Sequence, residues 1–373
     1  MPSYLSTENL TAALQLRDLT DPDHGTHAMQ QLLGDVVAAL TESWAVPVRW
    51  VRTSPLVAIE DNYDRLGFDP DAITREARYT RYVSPGVMLR SHTTAAIPWL
   101  LRHLAPAASS DELIVLPGLV YRRDAIDRTH VGEPHQVDLW RLSSTAHLGL
   151  DDLTEMLATI VDAVLPCAKW RVVPAVHPYT VTGQQLEVLV DGEWLELAEC
   201  GVAAPRLIES SGLDDRWSGL ALGMGLDRAL MLRKGIGDIR ALRATEPRIR
   251  AQMSDLSRWR PVSTLPAVRR DISIVIAADQ DDETIGDKIR ASLAERICDI
   301  ESVTVLARTV DTGLPEAARD RLGITAGQVN ALVRIVIRPL SRTLTDDEAN
   351  QLRDQIYLAV HEGRSLELIT PAS

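Results

Sequence analysis

The chain has 373 residues, 45% of them hydrophobic, and a formal net charge of −13. That length favours a main domain with a smaller companion, and the acidity excludes general attraction to polyanions, so nucleic acid would have to meet a local basic face. Only 4% of residues are aromatic, with one Phe against eight Trp. Cys167, Cys200 and Cys298 are isolated thiols without the CxxC spacing of zinc or redox sites, which suits a reducing cytoplasm. No apolar run reaches the ~20 residues of a membrane span, and the first twenty residues lack a signal-peptide core or transit-peptide character. A cytoplasmic protein with no membrane attachment is expected.

In chain order, Ser6 to Asp18 predicts a short helix capped by Ser6 or Thr7. His27 to Trp44 predicts a longer one, with Met29, Leu32, Leu33, Val36, Val37 and Leu40 at helical spacing. Arg49 to Ile59 alternates like a single strand. Asp61 to Asp69 is turn-rich, and Arg75, Arg78 and Arg81 follow on a polar segment. Met88 to Ile97 leads into an apolar helix through Leu104.

Ile114 to Tyr121 is apolar and β-branched enough for a buried strand, and His135 to Trp140 predicts its antiparallel return. Strands joined this way would present Arg122, Asp124, His130, Gln136 and Asp138 from one local surface. Guanidinium grips phosphate or carboxylate with two parallel bonds, while carboxylate and amide together orient an ammonium group. A site that activates an amino acid with a nucleotide needs those groups; a surface hairpin with scattered charges is the plainer alternative. Ser143 to Val164 predicts a helix and Trp170 to Val176 a strand ending at His177-Pro178-Tyr179. Residues 186–190 and 194–197 predict a hairpin around Asp191-Gly192. In Ser218 to Arg228, SGLALGMGLDR, a strand and glycine-rich turn run into a helix with Arg228 in its first turn. That is a second phosphate-binding element or a tightly packed strand–helix corner.

Pro261 and Pro266 mark a boundary. Beyond it, strands are predicted over 268–277, 300–311 and 329–338. Helices are predicted over 282–296 and 345–362, the latter with Thr345 and Glu348 at capping-box spacing. The order β-α-β-β-α suits a split βαβ, ferredoxin-like sheet. Arg269, Arg270, Arg334, Arg338 and Arg342 would form a local basic face or line solvated edges.

The series MLRSHTTAAI, VYRRDAIDRTHVGEPHQVD, WLELAECGV and SGLALGMGLDRALML resembles motifs 2 and 3 of class II aminoacyl-tRNA synthetases. It is most similar to the catalytic chains of phenylalanyl-tRNA synthetases. SPLVAIEDNYDRLGF is similar to that family's motif 1 region, and the chain from Pro261 resembles its anticodon-binding domain. The resemblance implies an α+β protein. Its class II catalytic domain over 1–260 would be an antiparallel sheet flanked by helices, with a C-terminal ferredoxin-like domain over 261–373. It implies ATP and Mg²⁺ as cofactors and an amino acid and tRNA as partners, with monomer or homodimer left open.

By the same resemblance, Arg122 would hold the substrate carboxylate and the α-phosphate, and Arg228 the γ-phosphate. Asp124 would contact the adenine side and His130 the β,γ-phosphates. Glu196 would sit close to the nucleotide and hold Mg²⁺, and Gly223 and Gly225 would let backbone approach it. His92, Thr94, Gln136 and Asp138 would orient the α-amino group, with His177, Tyr179, Leu220 and Leu222 lining the side-chain pocket. Arg269, Arg270, Arg338 and Arg342 would meet tRNA; Arg75, Arg78 and Arg81 read as a solvated face, with contact to the tRNA acceptor end as the sharper alternative. Several positions depart from the family pattern. Asp138 replaces glutamate, Pro134 the adenine-stacking phenylalanine and Glu199 a glycine. His177 and Tyr179 replace two phenylalanines, and Leu220 and Leu222 stand where aromatics are usual. A paralogue activating another amino acid, one serving a non-tRNA acceptor, and a non-catalytic binding protein are the alternatives.

Overall fold

The computed structural model describes residues 4–76, 79–104 and 111–366. They divide into two compact units, one of residues 1–122, 133–236 and 252–259, the other of 123–132, 237–251 and 260–373. The chain therefore passes between the units five times, and two short segments before residue 260, 123–132 and 237–251, belong with the C-terminal part.

In the first unit, α1 (Thr7–Leu14) begins where the Ser6 hydroxyl accepts the Asn9 N–H at 3.1 Å. In α2 (Ala28–Trp44), His27 Nδ1 accepts the Met29 N–H at 3.1 Å, and the predicted apolar stripe is buried. The single strand expected over 49–59 is divided. β1 (Val48–Trp50) joins the main sheet, whereas β2 (Leu56–Ala58) belongs to a small sheet with β3 (Tyr82–Ser84) and β4 (Val87–Leu89). Pro55 between them has no N–H to give a ladder, and the Leu56 N–H is taken by the Ser54 hydroxyl at 3.2 Å. Two short helices follow, α3 (Ile59–Asn62) and α4 (Ile97–His103).

The main sheet is completed by β5 (Asp111–Leu119), β6 (His135–Ser143), β7 (Trp170–Pro174), β8 (Thr180–Val190), β9 (Glu193–Ala203) and β10 (Ser218–Gly225). Its order is β1-β5-β6-β10-β9-β8-β7, antiparallel throughout except at β1–β5. Between strands run α5 (Leu150–Val164) and α6 (Pro205–Ser210), and α7 (Leu226–Lys234) leaves β10 directly. α5 starts seven residues later than the sequence suggested, because Ser143 ends β6. Its hydroxyl accepts the Ala146 N–H, and helix geometry begins only where Asp152 closes on the Gly149 N–H at 2.8 Å. On one face of the sheet, Ile114, Leu116, Trp140, Leu142 and Ala221 pack against Ile97, Leu101 and Leu207 in a buried core. α2 packs on α5 and α7. Among the described residues, no helix is long and apolar enough to cross a membrane.

A buried pair ties β6 to α7. The backbone N–H of His135 donates to the Asp227 carboxylate, and His135 Nδ1 lies 3.1 Å from Asp227 Oδ1. The opposite ring nitrogen accepts the Leu19 N–H at 3.0 Å, so the ring proton faces Asp227. Both side chains are buried. At the far end of α7, the buried Lys234 ammonium donates to the carbonyls of Asp255 (2.6 Å) and Ser257 (2.7 Å), fastening 252–259 to this unit.

The second unit contains α8 (Pro247–Gln252, all but its last residue), β11 (Val268–Ala277), α9 (Asp282–Leu293), β12 (Ile300–Val310), α10 (Glu316–Leu322), β13 (Gln328–Ile337) and α11 (Asp346–Val360). The antiparallel sheet runs β11-β13-β12. Ile272, Ile274, Ile276, Val333 and Ile335 form a core with Ile285, Ile289, Leu352 and Ile356 from α9 and α11. The capping box at Thr345 and Glu348 forms as its spacing predicted. Segment 123–132 is built into this unit. Ile126 is part of its core and its carbonyl accepts the Val303 N–H at 3.0 Å. Arg290 donates to the Ala125 carbonyl at 2.7 Å, and Arg123 pairs with Asp287 at 3.0 Å.

Removing one member of a buried hydrogen-bonded pair leaves the other's donors unsatisfied, at a cost of about 1–3 kcal/mol. Asp227→Ala is expected to lower stability by about that amount, and Asp227→Asn by less, since its amide oxygen still accepts the His135 N–H. Urea unfolding followed by tryptophan fluorescence measures both; a midpoint for Asp227→Ala equal to that of the parent protein would contradict the role given to the pair.

Candidate active site

The site is written across neighbouring strands. Residues directly opposite in an antiparallel ladder share a face. Three rows follow from the register: Gln136 beside Gly225; Asp138, Gly223 and Glu199; and Trp140 beside Ala221, itself beside Gly201. The same parity corrects the expectation for Leu220 and Leu222. They pair with Arg141 and Leu139, which alternate with Trp140 and Asp138, so both leucines point to the opposite face and line no part of this surface.

Glu196 would also have faced away by simple alternation. The ladder shifts between Leu186 and Glu187, where β9 contributes an extra residue, so Glu196 pairs with Glu187. A bulge of this kind re-aims a side chain. Burial and then the neighbouring Glu199 raise the Glu196 carboxyl above its ordinary range, while Arg228 and Arg122 both oppose that shift. The two arginines thus act on one carboxylate, although 106 positions separate 122 from 228 in the numbering. Arg228 also donates to the Glu196 carbonyl at 3.1 Å. Arg122 is exposed, with Nε on the Ser91 carbonyl at 2.7 Å and Nη2 on Gln136 Oε1 at 3.2 Å.

Asp138 is almost fully buried and accepts from Thr93 Oγ1 and from Gln136 Nε2, each at 3.1 Å. Burial pushes its carboxyl up to about 6, against the hydroxyls of Thr94 and Thr93 and the donors of Trp140 and Gln136. The sequence singled out Thr94 and missed Thr93. Only the fold turns both hydroxyls toward β6.

Rings wall this surface. The chain's one phenylalanine, Phe68, stacks on His92 at 5.7 Å between centroids and lies 6.4 Å from Tyr179. Tyr179 lies 5.9 Å from His177 and 6.2 Å from Trp140. His92 has both ring nitrogens buried without a hydrogen-bond partner. Burial, then Arg122, lower its pKa to about 3, so the ring is neutral at pH 7 and offers one donor and one acceptor. His177 Nε2 lies 3.5 Å from Glu199 Oε2, and that imidazole, ahead of Arg122, holds the Glu199 carboxyl below its usual range against the effect of burial. Burial pushes the Cys200 thiol behind this face up to about 12, which leaves it unreactive.

Asp124 and His130 belong to the second unit. There the Asp124 carboxylate accepts the Ala125 N–H at 2.8 Å, and His130 Nδ1 lies 2.8 Å from Asp127 Oδ2. Asp127 stays well below its ordinary range despite burial, because His130 and Thr129 donate to it. The expected basic face of that unit is not assembled. Arg270 pairs with Asp346, Arg338 with Glu301 and Arg342 with Glu348, each at 2.9 Å. Arg334 pairs with Asp271 at 2.8 Å, leaving exposed Arg269 as the one of these five with no recorded carboxylate among the described residues. In the first unit, Arg75 pairs with Asp64 and Arg81 with Glu133, while Arg78 lies outside the described residues. Among the described residues no group of three His, Cys, Asp or Glu is arranged to hold a metal unaided.

Comparison with known proteins bears on this arrangement. A family model described as the tRNA synthetases class II core domain (F) matches residues 26–253. The chloroplastic/mitochondrial phenylalanine–tRNA ligase of Arabidopsis thaliana is 26% identical over 330 residues, covering 84% of this chain and 71% of that protein. The phenylalanine–tRNA ligase alpha subunit of Prochlorococcus marinus (strain MIT 9313) is 34% identical over 192 residues, covering 51% of this chain and 56% of that subunit. The chain therefore spans little more than half the length of that subunit. The pyrrolysyl-tRNA synthetase of Desulfitobacterium hafniense superposes with a TM-score of 0.47 and 19% identity, over 58% of this chain and 73% of that one. The family match spans more than half of the chain and contains both arginines and the whole row from Asp138 to Glu199: the chain belongs to the class II tRNA synthetase core family, in its phenylalanyl branch.

Proposed function

We propose that the protein activates an amino acid with ATP as an aminoacyl adenylate and transfers it to tRNA. The observation that carries this reading is the chain of contacts from Arg122 through Gln136 to Asp138 on the face that also holds Glu196, whose carbonyl takes Arg228. A carboxylate oxygen of the amino acid attacks the α-phosphorus of ATP. The bond from that phosphorus to the bridging oxygen breaks, and pyrophosphate leaves. The terminal ribose hydroxyl of tRNA then attacks the adenylate's carbonyl carbon, and AMP leaves with the carboxyl oxygen bonded to phosphorus.

Such a reaction asks for positioning and charge neutralisation more than proton transfer. Arg122, held by the Ser91 carbonyl and Gln136, keeps guanidinium donors available for the carboxylate and α-phosphate together. Arg228 is the candidate for the γ-phosphate. Asp138 and Gln136, with Thr93, Thr94 and His92, suit an ammonium group. The adenine-stacking ring of the resembling family is replaced here by Pro134. Glu196, already crowded by Glu199, suits a divalent cation, and Mg²⁺ binds through one or two carboxylates plus substrate phosphates. When bound, Mg²⁺ would neutralise phosphate charge. Three cysteines outside any disulfide fit work in a reducing compartment, and we assign the protein to the cytoplasm on that basis.

A second reading, transfer to an acceptor other than tRNA, draws on the carboxylate partners of Arg270, Arg338 and Arg342. Charging assays with total tRNA separate the two. Acid-stable aminoacyl-tRNA is the expected product, and adenylate formation without charging would favour the second.

Loss of one preorganised donor at a reacting centre costs about 10²–10³-fold in rate. Arg122→Ala is expected to lower amino-acid-dependent ATP–pyrophosphate exchange by at least that factor, and undiminished exchange would remove Arg122 from the site. Asp138 gives a pH dependence. Its carboxylate binds ammonium only when ionised, so ligand binding favours the deprotonated form and affinity should weaken as pH falls through about 6. The KM for the amino acid should rise roughly tenfold per pH unit below that point and stay level above it. A KM unchanged between pH 5 and 8 would contradict the assignment.

A further inference from the structure

We propose that the amino acid activated here carries a second hydrogen-bond donor, an amine, guanidine, imidazole or hydroxyl on its side chain, which is read by Glu199 together with His177. This rests on the activation reading above and specifies its substrate class.

The row Asp138, Gly223, Glu199 runs over three adjacent strands on one face of the sheet. Its middle member contributes no side chain, and a Cβ there would press on Gln136 Nε2 at 3.0 Å and Asp138 Oδ1 at 3.3 Å. No side chain of β10 therefore stands between the two carboxylates, and those of Gln136 and Asp138 lie over Gly223. Asp138, at one end, shares Gln136 and Thr93 and is matched to the α-ammonium. Glu199, at the other, keeps 48% of its side chain accessible, and its recorded ion-pair partner is His177 at 3.5 Å. That contact does not qualify as a hydrogen bond: His177 is only 8% exposed, yet its Nε2 has no hydrogen-bond partner. The other ring nitrogen is 3.5 Å from the Thr180 hydroxyl.

A half-accessible carboxylate and a buried imidazole nitrogen thus stand side by side with bonding capacity to spare. An apolar side chain such as phenyl would strip water from Glu199 and return nothing, a costly exchange for a charged group. A donor would replace the lost water. Sites built to hydrogen-bond a substrate reject analogues lacking the group far more strongly than apolar pockets separate one methylene from another. The resembling family has glycine at the position of Glu199 and phenylalanine at those of His177 and Tyr179, so the polar groups enter together at one place. Arg122, whose field reaches both His92 and Glu199, helps keep the Glu199 carboxylate ionised.

The test is ATP–pyrophosphate exchange by the full-length protein over matched amino acids: tyrosine against phenylalanine, lysine against norleucine, histidine and arginine against leucine. The wild type should favour at least one donor-bearing acid over its apolar match by tenfold or more in kcat/KM. Glu199→Gly should reduce that preference at least tenfold, and Glu199→Gln, which keeps the volume if the glycine variant folds poorly, should reduce it for cationic side chains. Best activity with phenylalanine or leucine in the wild type would overturn this inference while leaving the activation reading intact. A donor preference that survives both substitutions would also overturn it. Exchange with no amino acid at all would overturn the activation reading, and this inference with it.

Discussion

The site depends on the buried contact between His135 and Asp227. His135 is the first residue of β6, and Asp227 lies in the first turn of α7. One position beyond the histidine stands Gln136, and one position beyond the aspartate stands Arg228. A hydrogen-bonded pair without access to water fixes both backbones at once, so the group suited to an ammonium and the group suited to a phosphate are set by a single constraint. The Leu19 N–H on the far side of the ring fixes the tautomer, and neither end of the pair can turn without breaking a buried bond.

Electrostatics on that foundation divide the surface by function. Arg122 and Arg228 bring positive charge to Glu196, where phosphate oxygens would collect. Asp138 and Glu199 bring negative charge to either side of Gly223 on one face of the sheet. Asp138 is buried with its carboxyl raised, His92 keeps two buried ring nitrogens without a hydrogen-bond partner, and the exposed Glu196 is raised by what burial it has and by the like charge of Glu199. Buried polar groups in this condition are costly, and clusters of them mark places where a ligand completes the bonding. The overall acidity of the chain does not conflict with a polyphosphate ligand, because the neutralising charge is local.

Much of the architecture was legible in the sequence. The helix over 28–44, the β5–β6 hairpin, the strand-to-helix turn at Gly225 and the alternation of strands and helices after Pro261 all carry strong hydrophobic periodicity. What escaped was set by parity and by distance along the chain. A motif names residues without saying which face of a strand they occupy, so Leu220 and Leu222 were expected in a pocket that their register excludes. The bulge that returns Glu196 to the site depends on a partner strand. Pro55 lies in the gap between β1 and β2, inside a run whose alternation continued past it. The His135–Asp227 contact joins residues too far apart in the chain for local pattern to connect, and the basic face failed because acidic neighbours approach from other elements. The packing of 123–132 into the C-terminal unit left no mark that periodicity could detect, beyond the apolar Ile126 in a polar run.

The central claim is that Arg122 and Arg228 grip the same triphosphate. A crystal structure of the protein with a non-hydrolysable ATP analogue and Mg²⁺ tests it most directly. The account predicts the α-phosphate within hydrogen-bonding distance of Arg122 and the γ-phosphate within that distance of Arg228. A nucleotide bound with either guanidinium turned away from the phosphates would contradict it.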